Sequence, residues 1–137
     1  MHTWTVTSAV LLLGCIVSGC GSSGMGTVGD GGGANTNCTG AEVPLTVKNF
    51  ESWCTFKVNG ASTSSGAEET VCVAPSTVDL TAAANSGFVL GSDPWHDTTT
   101  QSGGSATVTV GSASMCVWVC CPGVGGSPAC PTTDQCP

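Results

Sequence analysis

Ala106-Thr107-Val108-Thr109-Val110 and, five residues on, Met115-Cys116-Val117-Trp118-Val119-Cys120-Cys121 alternate apolar and non-apolar or bulky side chains one by one. A period of two places successive side chains on opposite faces of an extended strand and does not fit the 3.6-residue period of a helix. In the second stretch Met115, Val117, Val119 and Cys121 share one face, and Cys116, Trp118 and Cys120 share the other. The same period recurs upstream in Val43, Leu45 and Val47, in Cys54, Phe56 and Val58, and in Val78, Leu80 and Ala82. Val71 and Val73 mark a further short strand, and Phe88 and Leu90 another after the turn Asn85-Ser86-Gly87. Pro44 places the first strand at a sheet edge or puts the proline at a strand start. Polar loops are expected over Gly60 to Glu69 and Gly91 to Gly104. About seven short strands with turn signals between them predict an all-β fold, a small antiparallel sandwich or partial barrel.

Cysteine usage supplies the second constraint. Of the ten cysteines, eight follow residue 37: Cys38, Cys54, Cys72, Cys116, Cys120, Cys121, Cys130 and Cys136. An even number in a small exported domain reads as a disulfide framework, and eight thiols allow about a hundred pairings. Large aromatic bulk after the N-terminal region is limited to Phe50, Phe56, Phe88, Trp53, Trp95 and Trp118, with no tyrosine. So small a core is marginal, and each crosslink adds about 2–4 kcal/mol. Cys120 and Cys121 point to opposite faces of a strand, so each is expected to find a different partner. Cys130 and Cys136, in an irregular tail rich in proline and glycine, are natural partners for two members of the 116–121 cluster. That cluster lacks the C-x-x-C spacing of thiol redox sites.

Near the N-terminus, the apolar run Ala9 to Val17 fits a signal-peptide hydrophobic region and is too short to span a bilayer. It ends in Val17-Ser18-Gly19-Cys20, which resembles a bacterial lipobox, the motif of lipoproteins whose cysteine is lipidated and becomes the mature N-terminus. Cys15 competes for that position, but Leu12-Leu13-Gly14-Cys15 carries leucine where a smaller residue is usual. Cleavage without lipid transfer is the remaining alternative. The segment Met1-His2-Thr3-Trp4-Thr5 departs from the usual pattern in having no lysine or arginine. The resemblance implies residues 1–19 as signal peptide and lipidation at Cys20. It also implies attachment to the cell envelope through acyl chains, with Gly21-Ser22 favouring the outer membrane. Residues 20–41 form a glycine-rich tether ahead of a domain over residues 42–137. The seventeen residues Gly21 to Asn37, treated as a coil, span about 20–25 Å.

Residues 78–110 resemble the internalin-type bacterial surface repeat. The resemblance rests on Val78-Asp79-Leu80-Thr81-Ala82, Gly87-Phe88-Val89-Leu90, Trp95 and Ala106-Thr107-Val108-Thr109-Val110. It implies a small β module with a binding or spacer role. The cysteines are not part of that pattern, and no second copy occurs.

Charge excludes several classes of function. The net charge is −7, and Lys48 and Lys57 are the only lysine or arginine residues. So few cations neutralise few phosphates, which disfavours nucleic acid and phosphoryl transfer. Gly24-x-Gly26-x-x-Gly29 has the spacing of a dinucleotide fingerprint, but no strand precedes it and the surroundings are glycine-rich. His96, the only histidine after His2, sits in Asp93-Pro94-Trp95-His96-Asp97. Such residues suit a divalent cation or a ligand-binding loop, but a solvated turn with Trp95 packed on the sheet is the reading they favour. No G-x-S-x-G elbow accompanies the histidine, and Glu68-Glu69 read as a solvated pair. Catalysis and cofactors are therefore not expected. Trp53 and Trp118, with Trp95 and His96, are the candidate ligand-binding residues. An indole stacks on a sugar ring when exposed and packs on the core or a disulfide when not. The expected role is a non-catalytic binding or adhesive module with a glycan or protein ligand. The competing readings are an envelope spacer without a ligand and, more remotely, a small hydrolase using His96.

Overall fold

The computed structural model describes residues 37–137. The Cys20 position, the signal segment and the tether up to residue 36 lie outside them. No helix among the described residues is long and apolar enough to cross a membrane. Eight strands form: β1 Val43–Asn49, β2 Cys54–Val58, β3 Glu68–Val73, β4 Thr77–Ala84, β5 Trp95–His96, β6 Thr100–Ser102, β7 Ser105–Thr109 and β8 Met115–Val119. They make two four-stranded sheets, ordered β3-β1-β8-β5 and β2-β4-β7-β6. The fold is an all-β, disulfide-rich sandwich.

Three sequence expectations change. Phe88 and Leu90 do not form a strand; Phe88 makes only an isolated bridge to Gly123. The loop expected over 91–104 instead contains β5 and β6, which raises the strand number to eight. These strands have two and three residues, too few to show an apolar alternation. The first sheet is mixed, because β1 runs parallel to β8. The connection between them is everything from β2 to β7, so no hairpin turn signals the pairing. β1 therefore has neighbours on both sides and is not an edge strand. Pro44 is tolerated as a strand-start residue, since the pairing with β8 begins only at Leu45.

Alternation builds the core. Leu45 and Val47 of β1 and Val117 and Val119 of β8 face Phe56 and Val58 of β2, Val78 and Leu80 of β4, and Ala106 and Val108 of β7. Each fully buried Val, Leu or Phe contributes about 1.5–3 kcal/mol. Cys54–Cys121 crosses between the sheets within this core, with both cysteines fully buried. Cys116 on the outward face of β8 and Cys120 just past the strand's end bond to Cys136 and Cys130. The tail thus runs back along that face, antiparallel to β8. Cys38–Cys72 ties the incoming chain to β3. All eight thiols are used, and Cys120 and Cys121 have separate partners as the strand geometry required.

Strand directions give the domain two distinct ends. The near end holds the start of β1 and the Cys38–Cys72 bridge, where the chain enters. The far end holds the termini of β1, β4 and β8 and the starts of β2 and β7. Buried Asn49 closes it: its Nδ2 donates to the carbonyls of Cys54 (2.8 Å) and Gly66 (3.0 Å), and its Oδ1 accepts from the Cys54 amide (3.1 Å). Every hydrogen-bonding atom of that side chain group is thereby engaged, as burial requires.

Candidate binding surface

Three chain segments converge at the far end. A 3-10 turn, Phe50–Ser52, links β1 to β2; residues 85–91 leave β4; residues 122–126 leave β8. Glu51 and Ser52 lie in the left-handed region (φ 50° and 57°), a conformation that costs a non-glycine residue about 1–2 kcal/mol. The turn holds Phe50 edge-on to Trp53 (5.0 Å, 81°), and Trp53 in turn stacks on Phe88 (5.1 Å, 21°). Asn85 fastens the second segment: its Nδ2 donates to the Ser52 carbonyl (2.7 Å), and its amide donates to the Trp53 carbonyl (3.0 Å). The third segment is zipped on by Val89 N to Pro122 O (2.8 Å) and Val124 N to Gly87 O (3.3 Å).

The outcome is an apolar end surface. Val89, Leu90 and Val124 are 40%, 37% and 67% exposed, and they are the exposed large apolar side chains among the described residues. Single exposed apolar residues are ordinary, but a group of them at the end that carries a half-buried aromatic stack makes that end the candidate binding surface. Strained backbone held at the same place fits such a role.

The tryptophans separate sharply. Trp95 is fully buried, with its Nε1 donating to the Gly104 carbonyl (2.9 Å). Trp118 is 4% exposed on the outer face of β8, between the two cysteines that hold the tail there. His96 lies flat on it, ring centroids 3.7 Å apart and 11° from parallel. Neither indole has a free face for a sugar, so Trp95 and Trp118 are corrected from ligand candidates to packing residues. His96 is likewise a strand residue of β5 stacked on Trp118, not a member of a free polar loop. Only Trp53, half-buried at the far end, keeps the position of a ligand residue. The sequence reading missed Val89, Leu90 and Val124, whose apolar type gives no signal of exposure until the three segments meet.

Burial lowers the His96 pKa below the ordinary 6.5, against the opposing pull of Asp97, Asp93 and Asp134. Between the lowered native value and 6.5 the unfolded chain binds more protons than the native one. The contribution to stability is therefore complete above 6.5 and is lost as pH falls through the native value. A His96→Gln variant is expected to melt below the wild type at neutral pH, with the gap narrowing on acidification. Thermal scans of both proteins across this window check it; a constant gap would remove the titration from the account.

Asp97, Asp134 and Cys136 bring ligand atoms within 4.8 Å of one another. The Cys136 sulfur is bonded to Cys116, so it offers no thiolate and the group is not a metal centre. On the outer face of the second sheet lies an open concavity of about 500 Å³, lined by Asp79, Thr81, Thr100, Ser102, Ser105 and Thr107. Its hydroxyls are partly spent on one another, as between Thr100 and Thr107 (2.7 Å). The far end is the better candidate surface. Comparison with protein-family models, curated proteins and solved structures gives no match from which a family or an activity follows.

Proposed function

We propose that the chain is a cell-envelope lipoprotein, anchored by acyl chains on Cys20, whose sandwich is a non-catalytic binding or adhesive module working through its far end. The observation that carries this reading is the position of the apolar surface. Trp53, Phe88, Leu90 and Val124 lie at the end opposite the one where the chain enters from the tether. Within the sandwich, the apolar surface is thus clear of the end at which the chain enters. The internalin-type resemblance of residues 78–110 supports the same class of role, and that stretch supplies Phe88, Val89 and Leu90.

The test uses the full chain. Crosslinking in the intact envelope, together with a glycan array, should yield a reproducible ligand. Leu90→Ser combined with Val124→Ser should remove it while leaving the domain folded, with a modest fall in melting temperature from Leu90, which is 37% exposed and packs near Gly104. A folded double variant that captures the same ligand equally well would end the reading. For the anchor, the mature N-terminus should be a diacylglyceryl-modified Cys20 by mass spectrometry. Cys20→Ser should abolish detergent partitioning and Cys15→Ser should leave it intact, since acyl burial is apolar and unscreened.

A further inference from the structure

The far end is apolar at its centre and acidic around it. Glu51 is exposed in the turn between Phe50 and Trp53, and Asp93 is exposed three residues beyond Leu90. Glu68, also exposed, opens β3 at the same end. The one cation near them, Lys48, lies 3.9 Å from Glu68 and is taken up by it. Glu51 and Asp93 are therefore exposed at the apolar end with no lysine paired to them among the described residues, and the basic group within reach of Asp93, the His96 imidazole, is held toward its neutral form by burial.

Charge then selects the occupant. Lys48 and Lys57 are the chain's only lysine or arginine residues, so the N-terminal segment brings no such cation to this surface. Two copies meeting end to end would set Glu51 and Asp93 against their own counterparts, and like charges brought together repel. An anionic bilayer is disfavoured for the same reason, given a net charge of −7. The remaining complement has apolar side chains on one face and lysine or arginine beside them. Resting on the binding role argued above, we propose that the far end receives a free cationic amphipathic peptide. Its apolar face would cover Trp53, Leu90 and Val124, and its cations would sit against Glu51 and Asp93.

The experiment immobilises the full chain, carrying Cys20→Ser so that no acyl chain contributes, and titrates a short amphipathic leucine–lysine peptide. Its leucine–glutamate counterpart and anionic vesicles are run alongside. The leucine–lysine peptide should bind saturably, and added salt should weaken it as screening shortens the reach of the rim charges. Leu90→Ser with Val124→Ser should weaken binding by roughly tenfold. Glu51→Gln with Asp93→Asn should weaken it about threefold at low salt and flatten the salt dependence. Equal binding of the glutamate peptide, or unchanged binding by the Leu90/Val124 variant, overturns the proposal; the latter would place the peptide elsewhere, the Ala9–Val17 run included. Binding of vesicles with none of the peptide makes the surface a lipid site and overturns it too. If the peptide fails while envelope capture still depends on Leu90 and Val124, the peptide is wrong and the binding module stands. If both fail, both fall.

Discussion

Replacing Cys54 and Cys121 together by alanine is expected to destabilise the domain by about 4 kcal/mol, lowering the melting temperature by about 20 °C. The bridge spans a sequence separation of 67, the longest of the four. In the chain-entropy account a crosslink acts by restricting the unfolded chain, and the restriction grows with the logarithm of the loop. The same account gives the Cys120–Cys130 bridge, with a separation of 10, about 3 kcal/mol. Packing widens the difference, because Cys54 and Cys121 are both fully buried and their removal also leaves space in the core. A domain of this size has a net stability of about 5–15 kcal/mol, so the longer bridge decides whether it remains folded on warming. Urea titrations of the full chain with each pair replaced check the order. Equal losses for the two pairs would mean that the crosslinks act through local packing and not through the unfolded state.

Much of this framework is readable from local pattern. Leu45 and Val47, Phe56 and Val58, and Val117 and Val119 face inward because a strand has no other way to dispose alternate side chains. The opposite orientations of Cys120 and Cys121, and the return of the tail to β8, follow from the same geometry. What local pattern does not carry is pairing between distant segments. Nothing in Leu45–Asn49 indicates that β8 lies parallel beside it, which is why Pro44 suggested an edge as readily as a strand start. β5 and β6 are too short to show a period, so their residues read as loop. The candidate binding surface is the extreme case: Trp53, Leu90 and Val124 come from three connections, and although Trp53 stands out as an indole, Leu90 and Val124 give no signal until Asn85 and the Gly123 bridge bring the segments together. Trp118 illustrates the converse, since its outward position on the strand was legible but the tail and His96 that cover it were not.

Trp95→Ala is expected to be the most damaging single substitution, at about 3–5 kcal/mol. The indole is fully buried and heads the side chains that fill the core. It also spans the two sheets: Trp95 belongs to β5 of the first, while its Nε1 donates to Gly104, which leads into β7 of the second. β5 pairs with β8 over only two residues, so the strand's own ladder holds it weakly and the indole does most of the holding. Gly104 shows how closely the chain is drawn in there, for a Cβ on it would lie 2.6 Å from the Ala82 carbonyl oxygen and 2.7 Å from Leu90 Cδ2. The Gly104 carbonyl also accepts the Ala82 amide (2.7 Å), so it keeps a partner when the indole is removed. The loss in Trp95→Ala is therefore chiefly one of cavity and packing. Trp95→Phe, which keeps a ring and deletes only the N–H and part of the bulk, should cost markedly less, about 1–2 kcal/mol. Chemical denaturation of the two variants gives the comparison, and ligand capture gives a second readout. Because Leu90 packs near Gly104, the alanine variant should disturb the far end as it loosens the fold, whereas the phenylalanine variant should stay folded and bind as the wild type does. A Trp95→Phe protein that is folded but has lost its ligand would instead place this indole at the binding surface, which its complete burial contradicts.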